Sequence, residues 1–315
     1  MKIKVWLITI IALLLVACLI FFPITVTYTD TIASNFDNTY RHLNNLNEWQ
    51  KWNPGLIKIC SEDCEKRDFK NGKIKGVTFN HANDSIVITK PIPLLYNVNI
   101  TVHDNFASYN LLIVPSASTN SIEVKAFEKV KLFNYIFSGR NSSNAQSALN
   151  GLKRFLEDTK NVYGFRIEGE KVKDTVFAVY DCATDSANLF ATINKNFKLV
   201  DNYIQQHHLE KKGFYSISYS AAQDSLHLIL GIAVNKFAEP VGEVHCVEIP
   251  KGKMLTGFYN GRFCDKLAIY RAFIHYATDH YEENVGASFE SYTDNKLPTS
   301  DTSTVQFKFY YPVLN

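Results

Sequence analysis

The sequence lacks the patterns that mark several well-known chemistries. It contains no G-x-S-x-G turn, no Walker phosphate loop and no glycine pattern of a dinucleotide-binding fold, so hydrolase, nucleotide and dinucleotide functions have no motif to support them. Positive charge is also scarce, because 33 Lys and Arg nearly balance 31 Asp and Glu and no long basic run occurs. We therefore predict no nucleic-acid partner and no cofactor.

Histidine patterns typical of metal sites are missing as well. His207 and His208 are adjacent, and His275 and His280 are five residues apart. Neither spacing places two imidazole rings on one face of a helix. We therefore predict no metal site.

Cysteine is too sparse to form a disulfide framework, with six cysteines in 315 residues. Cys60 and Cys64 are close enough in sequence to pair in an oxidising compartment, and the sequence leaves open whether they do. Cys182, Cys246 and Cys264 are expected to be unpaired thiols.

A long apolar run stands at the N-terminus. Residues 5–22 carry no charge, and as a helix they would extend roughly 27 Å, close to the thickness of a hydrocarbon core. Lys2 and Lys4 precede the run and the next cation is Arg41, which predicts a cytoplasmic N-terminus. We therefore predict a single-pass anchor over residues 1–23 in the inner or cytoplasmic membrane, with the body periplasmic or extracytoplasmic.

A lipid anchor is the alternative for the same segment. Leu15 to Cys18 resembles a bacterial lipobox, in which the cysteine becomes the lipidated N-terminus. Residues 19–22 remain apolar, whereas a lipoprotein normally turns polar after its cysteine. Both alternatives place the body on the outer face of the membrane.

Residues 24–160 are predicted to form a first α+β domain. An alternating strand begins at Ile24 and a short amphipathic helix follows it, with apolar residues at helical spacing at Phe36, Tyr40, Leu43 and Leu46. Four more strand-like runs lie at 85–89, 97–102, 109–114 and 121–127. A closing helix is indicated by one apolar stripe, formed by Ala145, Leu149, Leu152, Phe155 and Leu156.

The segment NLNEWQKWNP at 45–54 adds a motif to this order of elements. Its W-x-x-W-x-P pattern resembles the segment after the first helix in the START-like, polyketide-cyclase-like (SRPBCC) superfamily. The resemblance implies a helix-grip fold, in which a curved sheet wraps a long helix and usually encloses an apolar cavity. Trp49 and Trp52 are expected to pack in the core rather than to contact a ligand.

A second domain is predicted over residues 175–315, after a linker at 161–174, and it contains an internal repeat. In each copy a strand, a helix and two strands follow one another, at 175–182, 187–206, 213–219 and 225–234, and again at 243–250, 264–280, 286–292 and 304–313. The copies are 73 residues apart, so that Tyr219 corresponds to Tyr292. This repeat predicts a pseudo-twofold domain in which two helices cover one antiparallel sheet.

Three motifs of this region occur in a recognisable order. They are Gly257-Phe258-Tyr259-Asn260-Gly261, Glu290-Ser291-Tyr292 and the closing Phe309-Tyr310-Tyr311-Pro312-Val313. Together with the repeat they resemble the GyrI-like small-molecule-binding domain, which is the effector-binding part of several bacterial multidrug-responsive transcription activators. The DNA-binding helix-turn-helix of those activators is absent, so the resemblance implies sequestration or signalling to a protein partner.

Glu290 is a position at which the two copies differ in chemistry. It shares one face of its strand with Ser288 and Tyr292, and the repeat aligns it with Ile217. An inward carboxylate requires a hydrogen-bond donor, a raised pKa or a cationic partner. We therefore predict that Glu290 faces inward, and a solvated position at a strand edge would contradict this.

The resemblance implies ligand-binding roles for Glu290, Tyr292, Tyr259 and Tyr311, through charge, stacking and cation–π contacts. It implies a membrane-tethered, non-catalytic protein that binds a small aromatic or cationic molecule. Two alternatives remain open. One is a hydrolase of electrophilic small molecules, with Glu290 as general base and Tyr292 assisting. The other is a structural or interaction module whose cavities are filled by its own side chains.

Overall fold

The computed structural model describes residues 22–60, 64–72, 74–103, 105–115, 120–137, 143–173, 175–222 and 225–314, with isolated positions before them. Within these ranges no helix has the length and apolar character needed to cross a bilayer. The anchor predicted over residues 1–23 lies almost entirely outside the described residues. The chain divides into two compact units, Met1–Asp158 and Thr159–Asn315, and each is α+β with one antiparallel sheet.

The first unit contains a seven-stranded sheet. Its strands are β1 (Pro23–Ile32), β2 (Glu65–Asn71), β3 (Ile74–His81), β4 (Asp84–Ile92), β5 (Leu95–Val102), β6 (Asn105–Val114) and β7 (Ile122–Lys131). They follow the order β1-β7-β6-β5-β4-β3-β2 and every pair is antiparallel. The sequence did not reveal β2 or β3. Every residue of β2 is exposed, so this edge strand carries no apolar alternation.

In the described part of residues 22–158, four helices and one 3-10 turn accompany the sheet. They are α1 (Phe36–Asn44), the turn Leu46–Lys51, α2 (Pro54–Ile59), α3 (Leu132–Phe137) and α4 (Asn144–Glu157). Helix α4 lies against β1, β6 and β7. Ser143 caps its N-terminus, because the Ser143 hydroxyl accepts the Gln146 N–H at 3.1 Å. The predicted apolar stripe is the buried face of the helix. A long helix therefore packs on the sheet, as the sequence predicts.

Trp49 and Trp52 belong to the core of the first unit, with exposed fractions of 0% and 2%. Their ring centroids are 4.6 Å apart, and Trp49 also lies 5.5 Å from Tyr96. A side chain at Gly151 of α4 would place its Cβ 2.3 Å from the Trp52 carbonyl oxygen. The glycine therefore allows the helix and the tryptophan segment to meet, and the predicted packing role of both tryptophans is confirmed.

The cysteine pairing that the sequence leaves open does occur. Cys60 and Cys64 form a disulfide with Cα atoms 4.9 Å apart, inside the usual range for such bonds. Cys182, Cys246 and Cys264 are free thiols, as the sequence predicts.

The second unit contains an eight-stranded sheet. Its strands are β8 (Glu168–Val172), β9 (Thr175–Thr184), β10 (Lys211–Ala222), β11 (Ser225–Val234), β12 (Val244–Ile249), β13 (Gly252–Arg262), β14 (Phe289–Tyr292) and β15 (Thr304–Val313). Its helices are α5 (Thr159–Tyr163), α6 (Leu189–Gln206) and α7 (Leu267–Asp279), with a 3-10 turn at Phe263–Asp265. The sheet order is β12-β9-β11-β10-β14-β15-β13-β8.

Two strand assignments in this unit need correction. The strand that leads into α7 is β13, not 243–250, because β13 pairs with the closing strand β15 over ten positions. The segment 243–250 instead supplies β12, which pairs with β9 at the sheet edge. Residues 161–174, predicted as a linker, supply β8, which pairs with β13 at the other edge.

The second unit contains the predicted internal repeat. The order β9-α6-β10-β11 recurs as β13-α7-β14-β15, and two residues after the end of each helix lies a residue of positive φ, His208 at 51° and Tyr281 at 55°. The halves meet where β10 pairs with β14, and there Ile217 lies directly opposite Glu290. The two equivalent residues therefore face each other on the pseudo-twofold axis.

Candidate functional site

Glu290 occupies the centre of the second unit. It lies on β14 between β10 and β15, opposite Ile217 on one side and Phe309 on the other. Its exposed fraction is 0%, and the neighbouring Ser291 is half-buried, as strand alternation requires. The predicted inward position of Glu290 is therefore the one that it occupies.

Two tyrosines and one lysine neutralise the carboxylate. The Tyr270 hydroxyl donates to Oε1 and the Tyr292 hydroxyl to Oε2, both at 2.6 Å. Lys266 Nζ lies 2.7 Å from Oε1 and forms a buried ion pair with it. Since a buried carboxylate is costly without such partners, these contacts explain how the sheet tolerates it.

Aromatic rings surround the Lys266 ammonium. Nζ lies 3.4 Å from the centroid of the Tyr219 ring, 4.1 Å from that of Phe263 and 6.0 Å from that of Tyr270. These distances fall within the range of cation–π attraction. The Glu290 carboxylate and these ring faces therefore hold the ammonium together. We call Glu290, Tyr219, Phe263 and Tyr270 the Glu290 cage.

Burial shifts the pKa values of the groups in and around the cage. The pKa values of Tyr219, Tyr270 and Tyr292 are raised, first by burial and then by the charge of Glu290. These hydroxyls therefore stay protonated and remain donors. Burial lowers the pKa of Lys266, and the charge of Glu290 opposes that shift. The Glu290 carboxylate thus favours the charged form of Lys266 against the effect of burial.

The structure brings together only part of the predicted site. Tyr292 touches Glu290 directly. Tyr259 instead donates to the Arg262 carbonyl oxygen at 2.6 Å and stacks on Phe307. The Tyr311 ring lies 6.3 Å from Phe273. Across the described part of the chain, neither Tyr259 nor Tyr311 shows a hydrogen bond to the carboxylate.

The sequence interpretation missed Lys266, although a signal for it existed. Lys266 stands at the junction of the 3-10 turn and α7. The same 73-residue offset that aligns Tyr219 with Tyr292 places Lys266 on Ile193, a fully buried residue of α6. The repeat therefore replaces two buried isoleucines of the first half with an ion pair in the second.

A separate cavity of about 410 Å³ lies on the opposite face of the same sheet. The residues that line it alternate with those of the helix-covered face and include Phe177, Val179, Ser216, Gly231, Phe289 and Pro312. Its size and largely apolar lining are typical of sites for small organic molecules. The second unit thus has a filled charged cluster on one face and an open apolar cavity on the other.

Comparison with known proteins gives similarity in structure alone. No protein-family model and no curated protein matches the chain. The EcmrR C-terminal domain is 13% identical over 47% of this chain and 97% of its own, with a TM-score of 0.41. SAV2435 bound to tetraphenylphosphonium is 10% identical over 47% of this chain and 93% of its own, with a TM-score of 0.32. The Zhui aromatase/cyclase from Streptomyces sp. R1128 is 11% identical over 43% of this chain and 94% of its own, with a TM-score of 0.31.

Proposed function

We propose that the chain is a non-catalytic protein whose second unit binds a small cationic or aromatic molecule in the Glu290 cage. The observation that carries this proposal is the Lys266 ammonium, which lies between the Tyr219 ring and the Glu290 carboxylate. An arrangement that holds the ammonium of a lysine offers the same charge and ring faces to the cationic group of a ligand. Tyr259 and Tyr311 stay predictions as ligand contacts.

Binding by the full chain tests this function. Titration calorimetry with benzyltrimethylammonium and tetraphenylphosphonium should show binding that falls at least about tenfold in Glu290→Gln, because the substitution removes the charge and keeps the shape. Glu282→Gln is the matched control, since Glu282 pairs with Lys253 outside the cage. Binding that Glu290→Gln leaves unchanged would contradict the proposal.

A hydrolase is the second function that the same residues permit. Glu290 would act as general base, yet both of its oxygens already accept tyrosine hydroxyls. Both oxygens are therefore already engaged and are not placed to take a proton from a water molecule, which is why we favour binding. Turnover of an electrophilic ester that disappears in Glu290→Gln would reverse this preference.

The apolar cavity favours a different ligand position. A neutral aromatic molecule would bind there without touching Glu290, because the two sites lie on opposite faces of the sheet. A side chain at Gly231 would lie 3.0 Å from Val179 and 3.4 Å from Phe177, so Gly231→Leu fills part of the cavity. Binding that Gly231→Leu abolishes and Glu290→Gln preserves would place the ligand in this cavity.

The membrane tether is part of the same proposal. The uncharged run 5–22 supports an inner-membrane anchor or a lipid anchor at Cys18, and the Cys60–Cys64 disulfide supports an oxidising, extracytoplasmic location for the body. Mass spectrometry of the mature N-terminus distinguishes the two anchors. We further propose that the first unit is a START-like domain and the second a GyrI-like domain, with output through sequestration or a protein partner.

A further inference from the structure

We propose that Lys266 is a built-in competitor, whose ammonium occupies the Glu290 cage in place of an external alkylammonium ion that binds by displacing it. This inference rests on the proposed function, since it concerns the same site. It adds the element that sets the affinity of that site and names a primary alkylammonium as the ligand class.

The contacts of Lys266 are those that an external ion would use. Its Nζ meets one carboxylate oxygen at 2.7 Å and two ring faces at 3.4 and 4.1 Å. Charge and ring contacts of this kind carry little directional constraint, so a free alkylammonium is able to replace the lysine atom for atom.

The fold itself does not require the ion pair. The first half carries Ile193 and Ile217 at the equivalent positions, and both are fully buried. Well-packed apolar residues often replace a buried ion pair at no loss of stability. The pair of Lys266 and Glu290 therefore serves a purpose other than packing, and a cation site with an internal occupant accounts for both residues together.

Lys266 lies between two exposed residues at the start of α7. It lies at the junction between the 3-10 turn and α7, and its side chain makes no capping hydrogen bond. Asp265 and Leu267 on either side are exposed. Displacement therefore requires rotation about the bonds of the lysine side chain, and it exposes an ammonium that is buried in the native state at the cost of its ion pair and ring contacts.

Chemical rescue tests the competitor directly. Lys266→Ala in the full chain removes three carbons and the ammonium, which is the shape of n-propylammonium. We expect n-propylammonium to raise the Tm of Lys266→Ala and to bind it at least about tenfold more tightly than the wild type, because the internal occupant is gone. Neutral 1-propanol should have no such effect.

Two variants control the interpretation. Lys253→Ala removes a lysine paired with Glu282 outside the cage and should show no rescue. Lys266→Ala combined with Glu290→Ile removes the anchor and should show none either. If n-propylammonium raises the Tm of the wild type and of Lys266→Ala equally, or raises neither, the inference is overturned. Should Lys266→Ala not fold alone, recovery of its circular dichroism on refolding with n-propylammonium supports the inference, and no recovery overturns it.

A larger cation separates this inference from the function on which it rests. Suppose that benzyltrimethylammonium binds the wild type in a way that depends on Glu290, and that its affinity for Lys266→Ala is no higher. This result would contradict the role of Lys266 as a competitor but would leave the proposed function intact. Absence of Glu290-dependent binding in both the wild type and Lys266→Ala would contradict the proposed function and the competitor role alike.

Discussion

The two halves of the second unit build the same fold around opposite chemistries. The first half places Ile193 and Ile217 in its core, and the second places Lys266 and Glu290 at the equivalent positions, all of them buried. Ile217 and Glu290 even face each other across the pseudo-twofold axis. The difference shows that the fold tolerates either an apolar or a charged pair at these positions. Packing alone therefore does not explain the charged pair, and a functional role would.

The largest loss of stability is expected when only the carboxylate of the ion pair is replaced by an apolar side chain. Glu290→Ile should lower the free energy of unfolding by about 3–5 kcal/mol, because it leaves a buried ammonium without its carboxylate and removes the acceptor of two tyrosine hydroxyls. Urea unfolding of the full chain at neutral pH measures this loss. A loss below about 1 kcal/mol would mean that Lys266 reaches solvent and that the buried pair does not stabilise the native state.

The same variant has a defined pH dependence. Without the charge of Glu290, which opposes the effect of burial, the pKa of Lys266 falls further below its ordinary value of 10.5. The unfolded chain then binds more protons than the folded chain below that pH, so the free energy of unfolding rises with pH. We expect the penalty of Glu290→Ile to shrink between about pH 7 and pH 9.5, as urea unfolding at both values measures, and a constant penalty would contradict this.

A smaller effect is expected from removing one ring of the cage. Tyr219→Leu should cost about 2–3 kcal/mol, since it removes both core volume and the ring face against the ammonium. Tyr219→Phe keeps the ring and loses only a hydroxyl that lies 3.5 Å from that of Tyr292, so it should cost less than about 1 kcal/mol. Thermal unfolding of both variants checks the difference, and equal losses would show that the ring face contributes nothing.

Making the two halves alike should have almost no effect on stability. The double variant Lys266→Ile with Glu290→Ile should lie within about 1 kcal/mol of the wild type, because it replaces a buried ion pair by the isoleucines of the other half. A double-mutant cycle with the two single variants gives their coupling energy. A double variant as unstable as Glu290→Ile would show that the ion pair is required for packing.

The smallest effect is expected from an ion pair of the first half. Lys211 lies 2.7 Å from Asp201 and 5.4 Å from the centroid of the Tyr215 ring, with its side chain 45% exposed. Lys211 therefore has the same kinds of partner as Lys266, a carboxylate and an aromatic ring, but at an exposed position. Lys211→Met should cost less than about 1 kcal/mol, as urea unfolding measures, and a loss comparable to that of Glu290→Ile would show that burial is not what distinguishes the two pairs.

The sequence was informative where one pattern repeats and less so where two residues act together. The 73-residue offset aligned Glu290 with a buried isoleucine, and strand alternation then gave its inward face. The same offset also aligns Lys266 with Ile193, a correspondence that the sequence interpretation did not include. No local pattern at Lys266 predicts burial, since lysines are mostly exposed, so the ion pair becomes visible only when both positions are compared at once.

The edges of the sheets were harder to predict than their centres. The highly charged, fully exposed strand β2 lacks apolar alternation, because an edge strand is held by hydrogen bonds to one neighbour and buries little. The register of β13 against β15 depends on pairing between residues about 50 positions apart, which no local pattern contains. The assignment of 243–250 as the strand before α7 failed for this reason.

The most direct test of the account is a crystal structure of Lys266→Ala grown with n-propylammonium. The account predicts an ammonium nitrogen about 2.7–2.9 Å from Glu290 Oε1, against the faces of Tyr219 and Phe263, with its carbon chain along the path of the missing lysine side chain. A cage without the ion, or a Glu290 carboxylate turned away to another partner, would contradict the central claim that this cluster is a cation site held by the chain's own lysine.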